Sequence, residues 1–349
     1  MATGTTLQPG TNASAIGTLT ITNLTLASDS TLSLNIDPLG AGDTDLIQTR
    51  DLAVSGPVVI SFPIPASGSF TQSRYVIMTY SASASGLANL SLPPSFAGTR
   101  YALAVDIATP GEVAITVGNL SGAISLTWLG GLNGDAWDIN TTTNWLDIAL
   151  NPQKFYNADS VTFDDSASNT SVNVTTTVFP GLVVFNNTAS IYTASGAGRI
   201  ISTAGLSKTS SGNLTLNVPY EGGAVTHAGG GVMALTNASI ATRLQVDAGS
   251  TVVMTGSNSL NGDLILDPAN AGGGTVRLAS GGYLNILAAG IYSLPNSGNL
   301  IEVAGAGSTI NASAATAFQF GSSAGSTSNR VILKDGGAWT NIAGNLSWP

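Results

Sequence analysis

The chain has 349 residues, 43% of them hydrophobic and only 8% charged, with a net charge of -9 and no cysteine. The acidic balance, with Lys and Arg totalling 10, excludes a clustered phosphate-binding surface and so argues against nucleic acid and against an anionic membrane surface. The lack of cysteine excludes disulfides and thiolate metal sites, and no apolar run is long enough to cross a bilayer as a helix.

From the start, apolar residues alternate with Thr, Ser and Asn, as in Leu19-Thr-Ile21-Thr-Asn-Leu24-Thr-Leu26. A period of two predicts strands with one buried face. Further strands are expected around Leu32–Ile36, Leu52–Val54 and Val58–Ile60. Asp37, Asp43 and Asp45 lie around Gly40 and Gly42 and form a candidate oxygen-ligand set for calcium. The glycine-rich nonapeptide calcium repeat is missing.

Near 63–117 the text changes. Tyr75–Tyr80 and Tyr101–Val105 read as more aromatic strands, flanked by Pro63, Pro65, Pro93, Pro94 and Pro110, where proline is tolerated at edges and turns. This variant segment is expected to close a first solenoid segment, residues 1–122. Val117–Ala123 reads as the joint before a second segment, 123–349.

The second segment opens on Trp128, Trp137 and Trp145, three of the 5 tryptophans in the chain, spaced by Gly and Asn. Two readings are open. The rings pin a junction in a core otherwise built of small residues, or they form a platform on which sugar rings stack. Asp164-Asp165 reads as a strand-ending turn rather than a glycosidase pair, because neighbours on a strand point to opposite faces. His227, the only histidine, reads as a turn or outer-face residue; one histidine without cysteine makes no metal cluster. Gly229-Gly-Gly231 and Gly272-Gly-Gly274 lack the Lys-Ser/Thr of a phosphate loop and read as solenoid turns. Asn-X-Ser/Thr triplets at Asn12, Asn23, Asn89 and Asn213 follow from composition.

In the last third, Leu244, Leu264, Leu284 and Leu300 each open a strand at intervals of roughly 20 residues, a solenoid-scale period. A Gly-rich turn and a second strand follow each one. One strand-turn-strand-turn coil per period is expected, with an interior column of Leu, Val and Ile. Met1-Ala-Thr-Gly does not read as a signal peptide, and both ends read as cuts through a longer protein. Cut ends would expose unpaired strand edges and associate end to end.

The order of motifs carries a resemblance. Asp43-Thr-Asp45-Leu-Ile-Gln-Thr, Tyr75–Tyr80, Pro110-Gly-Glu-Val113, Leu126-Thr-Trp128 and Asn144-Trp145 are followed by Val161-Thr-Phe163-Asp164-Asp165, Tyr192–Ile200 and Leu206–Leu216. Lys334-Asp-Gly-Gly-Ala-Trp339-Thr-Asn341 comes near the C-terminus. Together they resemble the autotransporter-associated β-strand repeat proteins, large bacterial surface passengers. The resemblance implies an all-β, right-handed parallel β-helix (a β-solenoid, elongated), an extracellular or cell-surface location and an adhesive or structural, non-catalytic role. It supplies no catalytic residues and no cofactor. The expected partners are a glycan or a cell-surface matrix. Two other functions stay open: a carbohydrate-binding or carbohydrate-active β-helix protein using Trp128, Trp137 and Trp145, and a viral fibre, which would be a trimer.

Overall fold

A computed structural model describes the chain except residues 1, 11–14, 65–68, 132, 270, 288–290, 295, 315–316, 321–325, 341–344 and 348–349. Asn12, Pro65 and Asn341, singled out in the sequence, lie outside the described residues. The chain forms two compact units, Met1–Ala123 and Ile124–Pro349.

In the unit Ile124–Pro349 the chain visits three sheets in strict rotation. Ser160–Asp164, Ser171–Val174 and Thr177–Val178 occupy the first, second and third sheets. Val183–Asn186, Tyr192–Ser195 and Arg199–Ser202 then lie parallel beside them. Continued to the last coil, this gives described sheets of 12, 9 and 8 strands. Such a winding is a parallel β-helix. Among the described residues the start departs from it, where Trp145–Leu146 pairs antiparallel with Ser125–Trp128 and with Pro152–Gln153.

The alternation read from the sequence builds the core. On the first sheet Leu126, Val161, Val183, Leu206, Val225, Leu244 and Leu264 stand in one register row, and all are buried. Each coil covers the apolar face of the one before, so no coil can hold its inner face away from water alone. Polar residues between them face outward, where hydroxyls and amides join coil to coil. Ser239 and Ser259 are 3.1 Å apart, Thr236 and Thr255 2.9 Å, and Asn311 donates to Asn285 at 2.8 Å.

The expected coil is corrected in one respect. Leu244 and Leu264 are neighbours on the first sheet, but Leu284 lies on the third, between Asn258 and Ile310, and Leu300 on the second, beside Thr275. A coil holds three strands, not two. Its length is 19 residues where Leu214 pairs with Met233 and 20 where Ser239 pairs with Ser259, and 26 where Ser257 pairs with Tyr283 and Tyr283 with Thr309. Strands of all three sheets carry alternating inward apolar residues, as in Arg243–Val246, Thr275–Leu278 and Tyr283–Ile286, so a fixed spacing of leucines slides from one face to the next.

The unit Met1–Ala123 alternates between two sheets. Thr18–Leu26, Leu46–Val54 and Arg74–Ser85 lie parallel in one; Ser30–Ser33, Val58–Ser61 and Leu90–Ser91 lie parallel in the other. The proline-flanked segment then breaks the winding. Glu112–Val117 pairs antiparallel with both Arg74–Ser85 and Leu103–Asp106, and Pro94 opens a single 3-10 turn, Pro94–Phe96. Leu26, Ile36, Val58, Ile60, Phe70, Tyr75 and Tyr101 belong to this unit's own core.

Candidate functional site

Trp128, Trp137 and Trp145 are brought together. Their rings are 4.9 Å apart between Trp128 and Trp145, nearly perpendicular, and 5.4 Å apart between Trp137 and Trp145. Phe155 and Phe163 close the group, both 5.5 Å from Trp137, and Phe163 stacks on Phe185 at 4.5 Å with planes 9° apart. All three indoles have 0% exposure. The Trp128 N–H donates to the Asn169 carbonyl at 2.7 Å. A sugar platform needs a ring face open to solvent, and none of these rings has one. The tentative ligand-binding role of the three tryptophans is therefore replaced by a packing role, an aromatic plug in the first coils.

Gly130 and Gly131 make this plug reachable for the chain. Both have positive φ, 61° and 74°, and a Cβ on Gly130 would fall 2.6 Å from the Asn169 carbonyl oxygen. Asn144, fully buried, donates to the Ala136 carbonyl at 3.0 Å and accepts from Asn133 N–H at 3.1 Å, tying the turn to the strand.

The calcium reading of Asp37, Asp43 and Asp45 is also corrected. The Asp37 carboxylate accepts from Gly42 N–H (2.7 Å), Thr71 N–H (2.7 Å), Thr71 O–H (2.6 Å) and Tyr75 O–H (2.6 Å). Asp45 accepts from Gly17 N–H at 2.7 Å and from the Asn35 backbone and amide at 2.8 and 3.1 Å. Asp43 is exposed and meets Asp37 only through its backbone carbonyl, which accepts the Asp37 N–H. The positive ends of these donors occupy the space a cation needs. Burial pushes the Asp37 carboxyl up, yet the Thr71, Tyr75 and Gly42 hydrogen bonds outweigh it and hold it below the ordinary carboxylate value. Among the described residues no three His, Cys, Asp or Glu side chains stand together as a metal set.

Asp164 and Asp165 do not converge. Asp164 accepts from Ser166 within its own turn. Asp165 reaches into the next coil, accepting Thr188, Ala189 and Ser190 N–H at 2.8, 3.1 and 2.8 Å. Those backbone donors lower its pKa to about 2. They act as backbone caps, as the strand-ending reading expects.

Sequence reasoning missed a second feature. His227 lies not on a turn or an outer face but inside the solenoid, with 0% exposure, in register beside Lys208, also 0% exposed. Phe185 precedes them in this row and Val246 follows. The Lys208 ammonium donates to the Ser210 carbonyl, and burial lowers its pKa to about 8 despite the Asp165 charge. His227 Nε2 lies 3.1 Å from the Gly231 carbonyl and so carries the proton; Nδ1 has no partner. Burial, reinforced by the Lys208 charge, lowers its pKa. A signal was present: Lys208 and His227 are third in Leu206-Ser-Lys and Val225-Thr-His, and strict alternation puts third residues inside with the first. Both cap turn carbonyls, those of Ser210 and Gly231.

The outward faces are different. They are rows of Ser, Thr, Asn and Gln, such as Thr226 beside Gln245 and Ser239 beside Ser259, with charges paired across coils. Glu302 receives Arg277 at 3.1 Å and Lys334 at 3.3 Å, and Arg199 meets Glu221 at 3.4 Å. No helix among the described residues is long and apolar enough to cross a membrane. Comparisons with family models, with curated proteins and with solved structures find no match to this chain.

Proposed function

We propose that this chain is a non-catalytic structural and adhesive β-helix of a secreted or surface-exposed bacterial passenger, of the autotransporter-associated repeat type. The reading rests on one observation above the others. Asp37, Asp45, Asp165, Lys208 and His227 bond turns or the core and Arg277 pairs with Glu302 between coils, while the outer faces repeat hydroxyl and amide side chains bonded from coil to coil. Such a face suits weak contacts made many times, with a glycan or a cell-surface matrix as partner, and affinity gained through multiplicity. Strand edges at the ends of the winding are a further route, by association of copies end to end.

Adhesion to glycan- and matrix-coated surfaces, measured as a function of coating density, tests the reading. The expected result is retention that rises much more steeply than density, as multivalency requires, and no turnover of the coating. Retention that is absent on every coating, or release of cleaved saccharide, overturns it. Concentration-dependent sedimentation checks the end-to-end part: a single species at all concentrations contradicts it.

A further inference from the structure

The unit Met1–Ala123 carries a groove of about 400 Å³ that none of the expected sites includes. It crosses three parallel strands where their pairing is irregular. Thr20, Gln48 and Thr79 stand in one register row, and Ile21, Thr49 and Tyr80 in the next. After Thr49 the register jumps, so that Asp51 pairs with Ser83 and Arg50 is left out of the ladder. A bulge of this kind bends a sheet and re-aims a side chain.

The lining joins two chemistries. Ile21, 37% exposed, and the half-buried Tyr80 supply an apolar surface. Gln48 and Arg50 supply donors: Gln48 is exposed and uses its carbonyl to accept from Thr20 at 3.3 Å. Arg50 differs from the other ion-contacting arginines. Arg74 is held by Asp106 at 2.9 Å and Glu112 at 2.8 Å, and Arg277 by Glu302 at 3.1 Å. Among the described residues Arg50 meets Asp51, its sequence neighbour, at 3.9 Å, and its side chain is 68% exposed. Its planar fork is free to take a carboxylate with two parallel hydrogen bonds.

We propose that this groove binds an acidic saccharide, a uronate-containing oligosaccharide whose ring packs along Tyr80 and Ile21 while its carboxylate meets Arg50 and a hydroxyl meets Gln48. A pyranose presents an apolar C–H face and a polar rim, which matches an apolar lining with a few placed donors. The anion matches the one guanidinium in the groove. The proposal rests on the adhesive reading above and names the class of glycan for one site.

The test is a titration of the full chain with a trigalacturonate probe and with its methyl-esterified, neutral form, followed by calorimetry. Saturable binding of the acidic probe is expected, weakened at least ~10-fold by esterification and by Arg50→Gln, roughly the worth of one lost charge-assisted pair. Arg50→Lys should recover part of the loss, because the charge returns without the fork. Ile21→Ser should weaken binding several-fold, and Arg199→Gln, in the other unit, should leave it unchanged. No saturable binding, equal binding of both probes, or full affinity in Arg50→Gln overturns the groove site. The two readings fail separately. Adhesion that persists in Arg50→Gln leaves the adhesive role standing without this groove, and wild-type chain that adheres to nothing removes the adhesive role whatever the titration shows.

Discussion

The two units solve the same problem with different numbers of walls. A coil of 28 residues separates Thr20 from its register partner Gln48 in the first unit, and one of 26 separates Tyr283 from Thr309 in the second. In the first, those residues are spent on one long strand and one short one, 9 residues in Thr18–Leu26 and 4 in Ser30–Ser33. In the second they are spent on three strands of 4 or 5 residues, Tyr283–Ile286, Ile291–Leu294 and Leu300–Ala304. What differs is how often the text interrupts itself. Thr18–Leu26 runs 9 residues without a Gly or Pro, whereas in the second unit glycines with positive φ recur between short strands, as at Gly196, Gly205, Gly249 and Gly256. The cores differ in kind as well: the first unit buries Phe and Tyr beside aliphatic side chains, and the second begins with an indole cluster that gives way to Leu, Val and Ile.

The largest expected effect tests whether that cluster belongs to the second unit alone. Trp145 touches Trp128, Trp137, Phe155 and Phe163, with ring centres 4.9 to 5.9 Å away. Trp145→Ala leaves a cavity that small neighbours cannot fill, and it should destabilise the second unit by about 3–5 kcal/mol. Urea unfolding followed by probes placed in each unit checks this. A midpoint that falls in the second unit and stays in the first sharpens the contrast; equal falls in both would break it.

Next comes the interior pair Lys208 and His227 of the second unit. Lys208 titrates near pH 8 in the fold against 10.5 in an ordinary environment. Between those values the unfolded chain binds the extra proton, so the stability of the second unit should rise as pH increases from about 8 to 10.5. His227, also lowered by burial, acts on the acid side: stability should fall as pH drops below the ordinary histidine value of 6.5. Lys208→Met removes a buried charge and should stabilise the unit at neutral pH by about 1–3 kcal/mol, while erasing the alkaline rise. Thermal melts across pH 5 to ~11 read both limbs. A destabilised methionine variant would mean that the Ser210 carbonyl needs its donor more than the core rejects the charge.

The sequence made some of this legible. Alternation gave the inward rows, and bulky tryptophans in a background of small residues pointed to a packed junction. It did not give the number of strands per coil, because strands of all three sheets carry the same alternating apolar signal and the pairing alone tells Leu264 from Leu284. Nor did it give the state of Asp37 and Asp45. Carboxylates grouped in a Gly-rich loop look alike whether they face a cation or a set of N–H donors, and Thr71 and Tyr75, which decide the matter for Asp37, lie more than 30 residues away. His227 was misplaced because residue type was weighed above its place in the alternation.

A smaller effect is expected at that carboxylate. Tyr75 O–H donates to Asp37 at 2.6 Å and accepts from the Gln72 N–H at 2.8 Å. Tyr75→Phe keeps the ring and removes the donor from a buried anion, at a cost of about 2 kcal/mol confined to the first unit. The Asp37 carboxyl should then titrate at higher pH than in the wild type, measurable by carboxyl carbon NMR. An unshifted Asp37 would show that Thr71 and Gly42 alone suffice.

The smallest effect lies at Asp165, the corresponding turn cap of the second unit, which is exposed and accepts three backbone N–H groups. Its pKa of about 2 is below the ordinary 3.8, so the fold holds the carboxylate charged where the unfolded chain would protonate it. The contribution is therefore complete above pH 3.8 and is lost as pH falls toward about 2. Asp165→Asn keeps the shape but gives the three donors a weaker acceptor. It should lower the second unit's melting temperature slightly at pH 7, with the gap to wild type closing between pH 3.8 and 2. A gap that stays constant through that range would mean that the cap works by turn geometry rather than by charge. The two units would then differ also in how they hold their turns, with hydroxyl-donor chemistry at Asp37 and shape alone at Asp165.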